Sequence, residues 1–185
     1  MTNPQVRPVL LMDVDGVLAP FGSPLRPAGF DPVRFGAEEL DLNPDHGRWL
    51  RTLETVYDPW WCTARFDDVC DTVAHALNAG TRWPVVDFAG TAWREPSGRH
   101  AVVRPVDVRS WKLPTVARLA STVWDARRIV WVDDDLLGAD VVEWAKRRTA
   151  RVAPTVLVRV EPSRGLTDEH LRTLLGDTLL KVVMP

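Results

Sequence analysis

The chain has 185 residues, 45% of them hydrophobic and 26% charged, which fits one soluble domain with a sizeable core. A net charge of −2 excludes the global basic field that draws nucleic acid or membrane without specificity. No stretch approaches about eighteen consecutive apolar residues, and Met1 to Pro8 holds no long apolar leader segment, so a cytoplasmic protein without membrane contact is expected.

The first predicted element is a strand, Val9 to Met12, which stops abruptly at Asp13-Val14-Asp15-Gly16-Val17-Leu18. Asp13 and Asp15 stand two apart, so in extended backbone they point the same way. A turn would account for Asp and Gly here. It would not account for two carboxylates at the tip of a buried strand, where unpaired charge is costly. Pro and Gly crowd Ala19 to Leu42, which reads as a loop or flap. Asn43 then reads as a helix cap with Pro44 at the first helical position, and Trp49, Leu53 and Val56 follow on one face. A second strand, about Thr55 to Cys62, ends at Thr63. The helix after it carries Phe66, Val69, Cys70, Val73 and Leu77 and stops at Gly80.

A third strand is expected over Pro84 to Phe88, before an irregular stretch from Ala89 to Ser110 in which Arg94, Arg99, Arg104 and Arg109 recur. Lys112 stands just before Pro114, which opens a helix with Val116, Leu119 and Val123 facing inward. A helix N-terminus there would join the ammonium in attracting an anion. The fourth strand, Ile129 to Val132, runs straight into Asp133-Asp134-Asp135. One of these acids could cap the helix that carries Val141, Trp144, Ala145 and Arg148; Asp133 and Asp134 are the better metal candidates. Strand five spans Thr155 to Val160, and a last helix opens at Thr167 with Leu171, Leu174, Leu175 and Leu179 as its stripe. Trp49, Trp60, Trp61, Trp124, Trp131 and Trp144 sit in apolar contexts that suit core packing. Cys62 and Cys70 lack partners at metal-ligand spacing and read as buried thiols in a reducing compartment.

This alternation predicts an α/β fold: a three-layer α/β/α sandwich around a doubly wound, mainly parallel five-stranded sheet, in one domain over residues 1–185. Ligands of such sheets sit outside the C-terminal strand ends, where the acids and Thr63 fall. Carboxylates that hold a hard cation, one carboxylate able to attack phosphorus, and a hydroxyl and an ammonium to receive phosphate oxygens are what magnesium-dependent phosphoryl transfer needs.

The order Asp13-x-Asp15-Gly16-Val17-Leu18, Thr63 after an apolar strand, Lys112, and Asp133-Asp134 resembles the haloacid dehalogenase superfamily of phosphatases and phosphotransferases. The resemblance spans Val9 to Asp135. It implies a Rossmann-like fold and phosphatase activity through an aspartyl-phosphate. Asp13 would be the nucleophile, Asp15 the general acid/base, and Thr63 and Lys112 the phosphate ligands. Mg2+ would be the cofactor, with Asp13, Asp15, Asp133 and Asp134 the candidate ligands. The gaps between motifs are too short for a full cap domain, and an open site suits a bulky phosphomonoester.

A softer resemblance is to the phosphatase-type domain of Swiss army knife RNA-repair proteins. It rests on the first motif, Leu42-Asn-Pro-Asp-His-Gly-Arg-Trp-Leu50, Trp61-Cys-Thr-Ala-Arg65 and Gly165-Leu-Thr-Asp-Glu-His170. It raises a nucleic-acid end as the substrate. A small-metabolite phosphatase and a non-catalytic phosphate-binding domain are the alternatives. A receiver domain uses the same residue types, but its acidic pair comes first, and here the pair comes last.

Overall fold

The computed structural model describes residues 6–36, 38–65, 67–80, 82–88, 110–136 and 138–179. Four parallel strands form the main sheet: β1 (Val9–Met12), β4 (Asp58–Trp61), β5 (Ile129–Asp133) and β6 (Thr155–Arg159). They lie in the order β4-β1-β5-β6, so β1 and β5 are central. The sequence dictates that placement. Every residue of β1 and β5 is buried, as continuous apolar runs must be when helices cover both faces of a parallel sheet.

Period-two alternation splits the core into two layers. Leu10, Met12, Val130 and Val132 face one way, against Trp49, Leu50 and Leu53 of α1 (Asp45–Glu54), Cys70 and Val73 of α2 (Asp67–Ala76), and Leu174 of α5 (Asp168–Leu179). Val9, Leu11, Ile129 and Trp131 face the other, against Val116 and Ala120 of α3 (Leu113–Ala120) and Val141 of α4 (Ala139–Arg151). The described residues therefore build the three expected layers. The tryptophans largely follow expectation: Trp49, Trp61, Trp124 and Trp131 are buried, while Trp60 and Trp144 pack half-buried against the second layer.

Several expectations differ: Val123, expected to face inward, follows α3 and is 55% exposed, and β4 spans only Asp58–Trp61 of the strand expected from Thr55 to Cys62. The strand expected over Pro84 to Phe88 reduces to one parallel bridge, Trp61 to Val85, held by Trp61 N–H to Pro84 O at 2.9 Å and Val86 N–H to Trp61 O at 2.8 Å. The main sheet is accordingly four-stranded among the described residues. Pro84 has no N–H to donate, which weakens any ladder there. The stretch expected to be a loop contains an antiparallel hairpin, β2 (Asp31–Phe35) with β3 (Glu38–Leu42). Its short alternations, Val33 and Phe35 against Leu40 and Leu42, pack on the first core layer. Pro and Gly residues around them mask that pattern. The arginines at 94, 99, 104 and 109 lie outside the described residues.

The cap position of α1 is held by Pro44, in helical conformation, in place of the expected Asn43, whose side-chain oxygen accepts the Asp45 N–H at 3.0 Å. Lys112 is the residue from which α3 starts, with Pro114 in the first turn. The cap of α4 is Gly138, without a side-chain bond, so none of the three acids after β5 is used as that cap.

Candidate active site at the carboxyl edge of the sheet

The two central strands end side by side. Asp13 continues the ladder beyond β1, its N–H bonding Val132 O at 3.0 Å, and Asp133 is the last residue of β5. The chain leaves β1 toward β4 on one side and returns to β5 on the other, so these acids stand where the strand order reverses. Thr63, buried, follows β4. Lys112 arrives from the start of α3, in a stretch steadied by Asp140, whose carboxylate accepts the Ser110 N–H at 2.9 Å.

A cavity of about 370 Å³ opens on this edge, lined by Asp13, Asp15, Thr63, Lys112, Asp134 and Asp135, with Phe21 and Trp111 beside them. The sheet ends thus bring together five of the six predicted site residues directly at the cavity. The sixth, Asp133, lies beneath them at 1% exposure.

Lys112 is the electrostatic hub. Its ammonium donates to an Asp13 carboxylate oxygen and, at 2.5 Å, to Asp133 Oδ2. Asp133 is further fixed by the Trp131 indole N–H at 3.1 Å and the Asp135 N–H at 3.0 Å. Asp13 Oδ1 accepts the Val14 N–H at 2.7 Å. Burial pushes the Asp13 carboxyl up, Lys112 pulls it down and Asp133 adds to the rise, leaving it at about 7. Asp134 is raised to about 6, chiefly by burial and then by Asp133. Burial disfavours the Lys112 ammonium, but Asp13 and Asp133 outweigh it and hold its pKa well above that of an ordinary lysine. Cys62, beneath the site, is buried, and burial pushes its thiol up, which disfavours the thiolate.

Oxygens of Asp13, Asp133 and Asp134 all lie within 4.8 Å of one another, close enough to share a metal ion. Were all three carboxylates ionised, they would outnumber the one ammonium and leave an excess of negative charge that a divalent cation would neutralise, and an all-oxygen donor set suits a hard one. Gly16 is fitted to this arrangement. Its φ is +73°, and a Cβ there would stand 2.6 Å from Asp134 Cγ, so only glycine lets the turn pass this close.

Asp15 stands apart from that acidic group. Its two carboxylate oxygens accept Arg65 Nε at 2.8 Å and Nη2 at 2.7 Å. The other side of the same guanidinium donates to Glu38 of β3, through Nη1 at 2.7 Å and Nη2 at 3.1 Å. Burial lowers the Arg65 pKa, but its bonds to Glu38 and Asp15 more than reverse that effect and raise it. Sequence reasoning assigned neither Arg65 nor Glu38 to the site. The available signal was the place of Arg65 two residues after Thr63, whose hydroxyl accepts the Arg65 N–H at 3.3 Å.

No protein-family model matches the chain, and no curated protein matches it.

Proposed function

We propose that this protein is a magnesium-dependent phosphatase of haloacid dehalogenase type, acting through an aspartyl-phosphate. One observation carries the reading. A buried aspartate, a hydroxyl, an ammonium and two further carboxylates, from three strand ends and one helix start, meet around a single open cavity. Phosphoryl transfer asks a protein chiefly for positioning and charge neutralisation, and this set offers both.

Asp13 attacks phosphorus, forming an aspartyl-phosphate as the bond to the leaving oxygen breaks, and Asp15 protonates that oxygen. Water then attacks phosphorus, Asp15 takes its proton, and the bond to Asp13 breaks to release phosphate. Thr63 and Lys112 receive phosphoryl oxygens. Asp13, Asp133 and Asp134 would hold magnesium, which supplies Lewis-acid neutralisation of the phosphoryl charge. The resemblance of the motifs supports these roles residue by residue.

The substrate reading is a bulky phosphomonoester, with a nucleic-acid end the favoured case. The cavity is open, and Phe21, 53% exposed, shares its rim with Trp111, so aromatic faces flank the site where a base could stack. A phosphate-binding domain without turnover is the second reading. It is favoured by the engagement of both Asp15 oxygens by Arg65.

A screen of sugar phosphates, nucleotides and 3′- or 5′-phosphorylated oligonucleotides, with magnesium and after exhaustive chelation, tests both. Turnover that chelation abolishes and magnesium restores is expected. Binding without phosphate release on any substrate supports the second reading, and full turnover after chelation rejects the metal assignment.

A further inference from the structure

Among the described residues, Arg65 is the one guanidinium whose two edges each meet a carboxylate at the candidate site, and the two carboxylates come from different parts of the fold. Asp15 belongs to the turn after β1, which is closed by a bridge to Ala19. Glu38 is the first residue of β3 in the hairpin. Arg65 itself lies in the segment after Thr63. Its side chain is 11% exposed, against 37% for Asp15 and 42% for Glu38. The cation is thus the buried member, and a planar fork with fixed N–H directions holds both carboxylates in register.

We infer that Arg65 is a positioning residue for Asp15, and that Glu38 completes the device by tying the position of the catalytic carboxylate to the docking of the hairpin. The inference rests on the phosphatase reading for what Asp15 does, but the tie itself is a matter of geometry. With Nε and Nη2 on Asp15, the carboxylate has one orientation rather than the several that an aspartate more than a third exposed would otherwise sample. Glu38 keeps the guanidinium from following Asp15 when that carboxylate turns to a leaving group, because two bonds remain on the hairpin side. The Thr63 hydroxyl fixes the backbone from which Arg65 reaches out, so the phosphate-binding residue and the positioning residue share one loop.

A second guanidinium-rich cavity, lined by Arg7, Arg51 and Arg82 with Glu54 and Asp58, carries no comparable inference. Its arginines are spent on Glu54 O, Asn78 O and Asp71 respectively.

Two measurements test the device on the full chain. The first compares kcat for an alkyl phosphomonoester with kcat for nitrophenyl phosphate, whose leaving group needs no proton. Arg65→Gln should lower the alkyl rate at least about tenfold more than the nitrophenyl rate, with KM nearly unchanged. Glu38→Gln should act in the same direction more weakly, and Arg65→Gln should add little to Asp15→Asn. Equal losses on both substrates, or a loss confined to KM, would overturn the positioning role.

The second measurement is amide hydrogen exchange over Glu38–Leu42, which needs no turnover. Exchange should quicken in Arg65→Gln and in Asp15→Asn alike; unchanged protection in both would overturn the tie to the hairpin. Wild-type protein inactive on both substrates and on the phosphorylated oligonucleotides, nucleotides and sugar phosphates would overturn the phosphatase reading and the acid role with it, while hydrogen exchange still decides whether the tie exists. Should Arg65→Gln fail to fold, Glu38→Gln and Asp15→Asn carry the same comparisons.

Discussion

Asp13 is held at cost. It is buried, it faces Asp133, and its carboxyl is pushed to about 7, so its charge is sustained by the Lys112 ammonium and the Val14 N–H. Asp13→Asn removes the attacking oxygen anion while keeping the side-chain shape. Turnover should fall by about a thousandfold or more, since the nucleophile cannot be replaced by binding alone. Stability should not fall with it. Lys112 keeps its bond to Asp133 at 2.5 Å, and one carboxylate repulsion is gone, so metal-free Asp13→Asn should melt at or above the wild-type temperature. Matched thermal melts and initial rates check both halves; comparable rates would remove Asp13 from the mechanism. The residues of this group were legible in the sequence because each ends an apolar run or precedes a helix, so local pattern placed them at one sheet edge. Glu38 was not legible, and Arg65 was legible only as the end of the Trp61-Cys-Thr-Ala-Arg65 motif, without its partners. Arg is the usual basic residue of this chain, and an ion pair across 27 residues leaves no periodic trace.

Gly47 decides how closely α1 may approach the end of α2. A Cβ at this position would lie 1.6 Å from the Leu77 carbonyl oxygen, and that backbone cannot yield as a flexible side chain could. Gly47→Ala should therefore destabilise the protein by about 2 to 3 kcal/mol despite the better helix propensity of Ala. Urea unfolding measures the loss, and kcat of the folded fraction should be unchanged because Gly47 does not line the cavity. An unaltered midpoint would mean that the two helices do not pack this tightly. The same elements show where sequence patterns suffice. Apolar runs give β1, β5 and β6, and 3.6-residue stripes give all five helices to within a few residues. The hairpin escaped because its strands alternate over only a few residues each, amid Pro and Gly that favour loops. The run around Val85 reads as a strand in the sequence but forms only a bridge, because an apolar run does not reveal how much of it finds a partner.

At the scale of the whole molecule, two groups of titrating residues oppose one another. His46 of α1 is fully buried between Phe30 and Trp49, and donates its Nε2–H to Leu166 O at 3.0 Å, while the Leu166 N–H bonds Val17 O at 2.7 Å. One neutral imidazole thus links α1 to the segment before α5 and, through it, to the turn that carries Asp15. Burial lowers its pKa to about 4, only partly offset by the Leu166 bond and Asp45. A folded value below the ordinary histidine value of about 6.5 means that protonation favours the unfolded chain. The stability contributed by neutral His46 is complete above about pH 6.5 and is lost as pH falls toward 4, by about 2 kcal/mol between pH 7 and pH 4.5. Asp13 at about 7 and Asp134 at about 6 work the other way, since burial first and carboxylate repulsion second hold their folded values above that of free aspartate, and protonation relieves both. Magnesium would compete with those protons, so its stabilising effect should be larger at pH 8 than at pH 5.5. His46→Gln separates the two groups. It keeps a donor for Leu166 O and removes the titration, so its stability relative to wild type should improve on acidification by that same amount, with or without magnesium. Urea unfolding of both proteins from pH 7 to pH 4.5 measures this difference, and parallel curves would show that His46 carries no linked proton.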